Sequence, residues 1–175
     1  MIIGSKIKLR DKRLSDTFDD YTWQTDTELA ELDAAPSLAI PFSQYLLDYT
    51  SELRYSPSIK YWFAIETLDG KHIGNCGYYN INEITGEAEL GIMIGDRDCW
   101  DKGYGTDAVT TLVSYIFHQT NLKRIYLKTL DSNSRAQKCF QKCGFTPYGH
   151  LVKDGFSFVL METHRKQWEK QQTKT

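Results

Sequence analysis

Three short runs between Lys60 and Ile94 follow a two-residue rhythm and are joined by tight turn pairs, which leaves the chain few folds to choose from. Tyr61-Trp62-Phe63-Ala64-Ile65-Glu66-Thr67 is aromatic and β-branched and is closed by Asp69-Gly70, a hairpin turn pair. His72 to Asn82 returns, and Thr85-Gly86 turns again into Glu87-Ala88-Glu89-Leu90-Gly91-Ile92-Met93-Ile94. Together they predict an antiparallel meander. Gly103 to Phe117 then places Tyr104, Ala108, Leu112 and Ile116 at four-residue steps, the spacing of an amphipathic helix. A meander feeding such a helix calls for a sheet with helices laid against it.

The flanks extend this pattern. Lys6 to Asp11 alternates as a first strand, and Leu14 to Ala35 reads as helical. Pro36 and Pro41 mark a loop, and Ser43 to Arg54 reads as a second helix. Arg124 to Leu130 is a strand, and Asn133 to Cys143 is a helix that Gly144 stops at the C′ position. Phe145 to Val152 and Phe156 to Glu162 form a hairpin around Asp154-Gly155, and the polar tail from about residue 165 is expected to fray. No repeat or linker interrupts the 175 residues, so residues 1–175 read as one α/β (α+β) domain.

Charge narrows the partners. Twenty-one basic and 23 acidic side chains give a net charge of −2, without the positive excess of a nucleic-acid binder. No run of about 18 apolar residues is present to span a membrane, and the N-terminus reaches Lys6 too early for a signal-peptide core. A cytoplasmic protein is expected. Cys76, Cys99, Cys139 and Cys143 are too few for a disulfide scaffold. Cys139 and Cys143 lie on one helix face with no further ligands at metal spacing, so reduced thiols and no metal are expected. His72, His118, His150 and His164 are scattered, and no Gly-x-Ser-x-Gly elbow supports an acyl-serine route.

The stretch that carries chemistry is Trp100-Asp101-Lys102-Gly103-Tyr104-Gly105-Thr106-Asp107. A glycine pair opening a helix lets backbone N–H groups approach a phosphate, aided by the helix dipole. No Lys-Ser/Thr follows at Walker spacing. A dinucleotide turn is the competitor, because Gly103-Tyr104-Gly105-Thr106-Asp107-Ala108 fits G-x-G-x-x-A and Asp131 ends the next strand. Against it stand the polar loop from Gly95 to Lys102 and the antiparallel meander that precedes it.

Three blocks in order, Gly86 to Ile92, Trp100 to Thr106, and Asn133-Ser134-Arg135-Ala136 through Lys142-Cys143-Gly144-Phe145, make the chain resemble the GCN5-related N-acetyltransferases, in their ribosomal-protein-acetyltransferase-like branch. The resemblance runs from Leu9-Arg10 to about Trp168. It implies a mixed, mostly antiparallel sheet splayed between its fourth and fifth strands, with helices on both faces and acetyl-coenzyme A in the gap. It implies that the amides of Lys102, Gly103, Tyr104, Gly105 and Thr106 hold the pyrophosphate beside Trp100 and Asp101. Asn133 would contact the pantetheine or phosphate region, and the coenzyme would run past Ile92, Ile94 and Phe140. Trp100 stands where the family carries Arg or Gln. Phe140 stands where many members carry a tyrosine that protonates the departing thiolate.

Glu87, Glu89, Gly91 and Met93 share one strand face, and Glu is depleted in strands. The alternation alone fits a solvated face. The resemblance instead implies that Glu89, fourteen residues before Gly103, is the catalytic base. The expected reaction is direct acetyl transfer to a primary amine of a protein N-terminus, polyamine or aminoglycoside-like molecule. Seven acids and no base between Leu14 and Ala35 suggest a negative wall for such cations, or equally a solvated helix face. The alternatives are a non-catalytic acyl-coenzyme A sensor and a dinucleotide-binding domain. The resemblance allows a homodimer, and the sequence names no interface.

Overall fold

The computed structural model describes residues 1–55 and 60–173. Eight strands form one sheet in the order β1-β2-β3-β4-β5-β6-β8-β7. Strands β3 (Tyr61–Thr67), β4 (His72–Asn82) and β5 (Glu87–Ile94) are the expected meander, antiparallel throughout. The first predicted strand is β2 (Ile7–Asp11), joined at its outer edge by β1 (Ile2–Ile3), a short strand the sequence reading did not separate. On the other side β6 (Arg124–Leu130) pairs β8 (Phe156–His164), and β7 (Thr146–Lys153) is the far edge. The β7–β8 turn places Asp154 (φ 51°) and Gly155 (φ 79°) in the left-handed region, as a type I′ hairpin demands.

Among the described residues β5 and β6 are the one parallel pair, and their register runs only through Glu87↔Arg124, Ala88↔Ile125 and Glu89↔Tyr126. Past Glu89 they part. With β1 left out of the count these are the fourth and fifth strands, between which the resemblance places the splay.

Helix α4 (Tyr104–Gln119) covers one sheet face and buries Ala108, Val109, Leu112, Val113, Ile116 and Phe117. Apolar side chains at these spacings lose water contact only if the helix lies down on the sheet. Its first turn is tied to the strand edge by the Asp107 carboxylate, which accepts the amides of Ser5, Lys6 and Ile7 at 3.1, 2.7 and 3.1 Å. Helix α5 (Ser134–Lys142) lies beside α4, and Gly144 (φ 88°) follows its C-cap, Cys143.

The predicted single helix from Leu14 to Ala35 is divided. A 3₁₀ turn (Leu14–Asp16) leads into α1 (Thr17–Thr25), and α2 (Thr27–Leu32) follows. The break is Asp26, extended at φ −73°, ψ 120°, whose carboxylate accepts the Leu29 N–H and so starts a new helix. α3 (Phe42–Arg54) completes this layer. A Cβ on Gly95 would collide with the Trp23 ring at 2.1 Å, so α1 packs on the sheet face opposite α4.

The expected frayed tail is instead α6 (Arg165–Gln172). Arg165 donates to the carbonyls of Leu122, Phe117 and Thr120, and Trp168 packs on Phe117 and His118 with centroids 5.5 and 4.9 Å apart. Two side chains dock a helix that has almost no apolar face. Among the described residues no helix is long and apolar enough to cross a membrane, and no cluster of His, Cys, Asp or Glu could hold a metal ion.

Candidate active site

A cavity of about 490 Å³ fills the splay and runs from one side of the sheet to the other. One end is phosphate-friendly. Trp100, Asp101, Gly103, Gly105 and Thr106 line it, together with Asn133 and Phe140. Asp101 (φ 56°) and Gly103 (φ 84°) both adopt left-handed backbone, which winds the loop so that α4 begins at the cavity wall. The first ladder amide of the helix is that of Asp107, donating to Gly103 O at 3.0 Å. The N–H groups before it have no intrahelical acceptor and are suited to an anion. Lys102 and Tyr104, both in the expected set, do not line the cavity. Lys6 explains this, because its Nζ donates to Lys102 O (2.8 Å) and sits 5.9 Å from the Tyr104 ring centroid.

The sequence reading missed the basic stripe opposite. Arg135, Lys138 and Lys142 all line the cavity from α5, and their i, i+3, i+7 spacing was the available signal. The Arg135 guanidinium lies 3.5 Å over the Trp100 ring, bringing a cation back to the place where the family's Arg or Gln is replaced. Asn133 Oδ1 caps α5 by accepting the Ala136 amide (3.2 Å), and its side-chain NH₂ donates to no acceptor among the described residues. Cys139 lines the same end, its thiol held below the usual range by hydrogen bonding with Cys143 and Thr106.

Ile92, Met93 and Ile94 form the middle of the wall. Gly95 donates its N–H to Ile73 O (3.0 Å) and so faces β4. Strand alternation then turns the backbone groups of Ile94 and Ile92 into the gap, where β6 no longer pairs. Trp100 Nε1 donates to the Ile94 carbonyl at 2.7 Å and fixes the loop to this edge.

The far end is lined by Leu29, Leu32, Asp33, Ala34, Tyr79 and Lys128. Glu89 stands just behind it. Glu89 is buried at 6% exposure, with one oxygen 3.0 Å from Lys128 Nζ and the other accepting Asn80 Nδ2 at 2.9 Å. It does not line the cavity, whereas its neighbours Lys128 and Tyr79 do. Glu87 is bound to Arg124 at 2.9 Å.

The acidic stretch is not a negative wall. Asp16 is paired with Arg10, Asp20 with Lys12, Asp19 with His72, and Asp26 and Glu28 with Arg97. These contacts tie the segment to β2, β4 and the loop after β5, so most of its carboxylates already have a partner. Of the seven acids only Asp33 lines the cavity. Its carboxylate has no hydrogen bond or ion pair among the described residues, and desolvation pushes its pKa up to about 6 against the opposing charge of Lys128.

Comparison with known proteins gives this arrangement its family. Residues 6–146 match the family model described as Acetyltransferase (GNAT) domain. The chain is 32% identical over 94 residues to spermidine N(1)-acetyltransferase of Vibrio cholerae, covering 54% of each protein. It is 24% identical to aminoglycoside N(6')-acetyltransferase type 1 of Klebsiella pneumoniae, covering 83% of this chain and 77% of the relative. The crystal structure of the Vibrio cholerae spermidine N-acetyltransferase in complex with coenzyme A and spermine shares the fold, with a TM-score of 0.84 at 21% identity over 95% of this chain and 99% of that one. The splayed sheet, the glycine-opened helix at its gap and the domain match over most of the length have one meaning: the chain belongs to the GNAT acetyltransferase family.

Proposed function

We propose that the protein transfers the acetyl group of acetyl-coenzyme A directly to a primary amine of a cationic small molecule, of the polyamine or aminoglycoside class. The carrying observation is that one cavity joins a phosphate-suited end to an end that bears the Asp33 carboxylate across the splayed strands. The amides of Gly103 to Thr106 suit the pyrophosphate, and Arg135, Lys138 and Lys142 suit its further phosphate charge. The gap-facing backbone groups of Ile92 suit the pantetheine, and the N–H groups of Ile92 and Ile94 suit the oxygen that gains charge during attack. The relatives named for spermidine and aminoglycosides support the acceptor class. The branch resemblance alone supports a protein N-terminus.

The chemistry sets what the acceptor end must do. A primary amine resembles Lys, with a pKa of about 10.4, so at neutral pH nearly all of it is protonated and cannot attack. A carboxylate that takes that proton contributes about 10²- to 10⁴-fold. Two carboxylates stand at this end: Glu89, implied by the resemblance, and Asp33. The departing thiol resembles Cys, with a pKa of about 8.5, and leaves tolerably as thiolate. Phe140, which has no proton to give, therefore costs the reaction little. Release of coenzyme thiol from acetyl-coenzyme A, measured with spermidine, an aminoglycoside and an N-terminal peptide, tests the reading. Turnover with the polyamine or aminoglycoside is expected. No release with any amine would make the chain a non-catalytic acyl-coenzyme A sensor, and release with the peptide alone would restore the N-terminal acceptor.

A further inference from the structure

Glu89 and Asp33 differ in what their oxygens are doing. Both Glu89 oxygens are engaged, by Lys128 Nζ at 3.0 Å and Asn80 Nδ2 at 2.9 Å, and the buried residue does not line the cavity. A proton arriving at Glu89 would weaken its ion pair with the Lys128 ammonium beside it. Asp33 is exposed, lines the cavity and has no hydrogen-bond or ion-pair partner among the described residues. It is the C-cap residue of α2, where the helix dipole presents negative charge, and a second negative charge there draws a cation. Ala34 beyond it is left-handed (φ 52°), which turns the chain sharply after the carboxylate.

From this geometry we infer that Asp33 is the catalytic residue that receives the acceptor's ammonium and takes its proton, while Glu89 holds Lys128 at the cavity wall. The inference rests on the acetyl-transfer reading. The ionisable groups facing Asp33 are Lys128 from β6 and Tyr79 from β4. Lys128 assists, because a fixed like charge beside the incoming ammonium favours its neutral form. In the step itself one ammonium proton passes to an Asp33 oxygen, and the freed nitrogen pair bonds to the thioester carbon. The carbon–sulfur bond then breaks with its electron pair leaving on sulfur. The second nitrogen proton ends on the thiol, and Asp33 returns its own to solvent. Burial already raises the proton affinity of this carboxyl to about 6, nearer to the working range of a base at neutral pH.

The test is the pH profile of kcat/KM for spermidine. With an internal acceptor, the ionised carboxylate and the protonated amine react as a pair, so the profile is level between about pH 7 and pH 9 and falls below about pH 6. Without it the reaction draws on free amine, whose share rises about tenfold per pH unit below its pKa of about 10.4. Asp33→Asn is expected to be about 10²-fold slower at pH 7 and to rise tenfold per unit toward pH 9, with affinity for acetyl-coenzyme A unchanged. Asp33→Glu, which keeps a carboxylate, should keep the level profile, and so should Glu89→Gln. A level profile in Asp33→Asn together with a rising one in Glu89→Gln would overturn the inference and give the role to Glu89. A wild-type protein that acetylates no amine would instead remove the acetyl-transfer reading itself. A wild type that turns over while Asp33→Asn keeps its rate and profile sinks Asp33 alone.

Discussion

Asp33 is ionised at neutral pH in a place that disfavours ionisation, and this has a consequence for stability with a definite sign. Its pKa is about 6 in the folded chain against 3.8 for the free side chain, and desolvation is the cause. Between those values the folded state binds the extra proton, so stability falls as pH rises through about 6 and the full penalty is present above about 7. Asp33→Asn should therefore raise Tm at about pH 8, and the gain should vanish by about pH 4. Thermal unfolding of both proteins across that range checks it. A variant less stable than wild type at pH 8 would mark Asp33 as a structural group. The sequence displayed this residue without distinguishing it. Seven acids stood in one stretch, and what separates Asp33 from Asp16 or Asp20 is the partner each finds: Arg10 on β2 and Lys12 just after it reach across to the latter two. Such pairings join residues far apart in the chain or on different elements, and no spacing rule records them.

At the level of elements, periodic apolar patterns were legible and polar docking was not. The meander, α4 and the final hairpin follow from two-residue and 3.6-residue rhythms, because burying an apolar face is what forms them. α6 has no such face, yet it docks. The Arg165 guanidinium donates to Leu122 O at 2.8 Å, to Thr120 O at 2.7 Å and to Phe117 O, carbonyls at the end of α4 and in the loop after it. One arginine thus answers backbone acceptors that a helix C-terminus leaves open. Hydrogen bonds to a charged group contribute about 1.5–3 kcal/mol, and water at this half-buried site recovers part of the loss. Arg165→Ala should cost about 2 kcal/mol, which for a chain of this size lowers Tm by roughly 4–8 °C. Differential scanning calorimetry measures it, and an unchanged Tm would show that Trp168 alone seats the helix. The α5 stripe was missed for a related reason: Arg135, Lys138 and Lys142 read as an ordinary solvated face until the splay brings a cavity to them.

For the whole molecule the decisive feature is that the sheet stops being a sheet after Glu89. Beyond that point β5 and β6 share no register, and backbone groups on β5 face a cavity where a neighbouring strand would stand. A long ligand lying in the gap would replace the missing strand partner along β5 while its phosphates meet α4 and α5 on the outside. Binding of this kind belongs to the folded state alone, so it stabilises by mass action: at a hundredfold excess over Kd, about 2.7 kcal/mol. At 2–4 °C per kcal/mol for a chain of this size, acetyl-coenzyme A should raise Tm by roughly 5–11 °C, and NAD should not. Gly103→Val isolates the loop. Its left-handed φ of 84° makes any β-branched residue strained, so the variant is less stable before ligand is added. The quantity to compare is therefore the increment that coenzyme produces in each protein and not the absolute Tm. That increment should collapse in Gly103→Val, because the displaced backbone no longer presents the first amides of α4 to the pyrophosphate. An undiminished increment would move the phosphate site off the Gly103–Thr106 loop and onto the α5 stripe, and a larger shift with NAD would replace the acyl-coenzyme reading with the dinucleotide one.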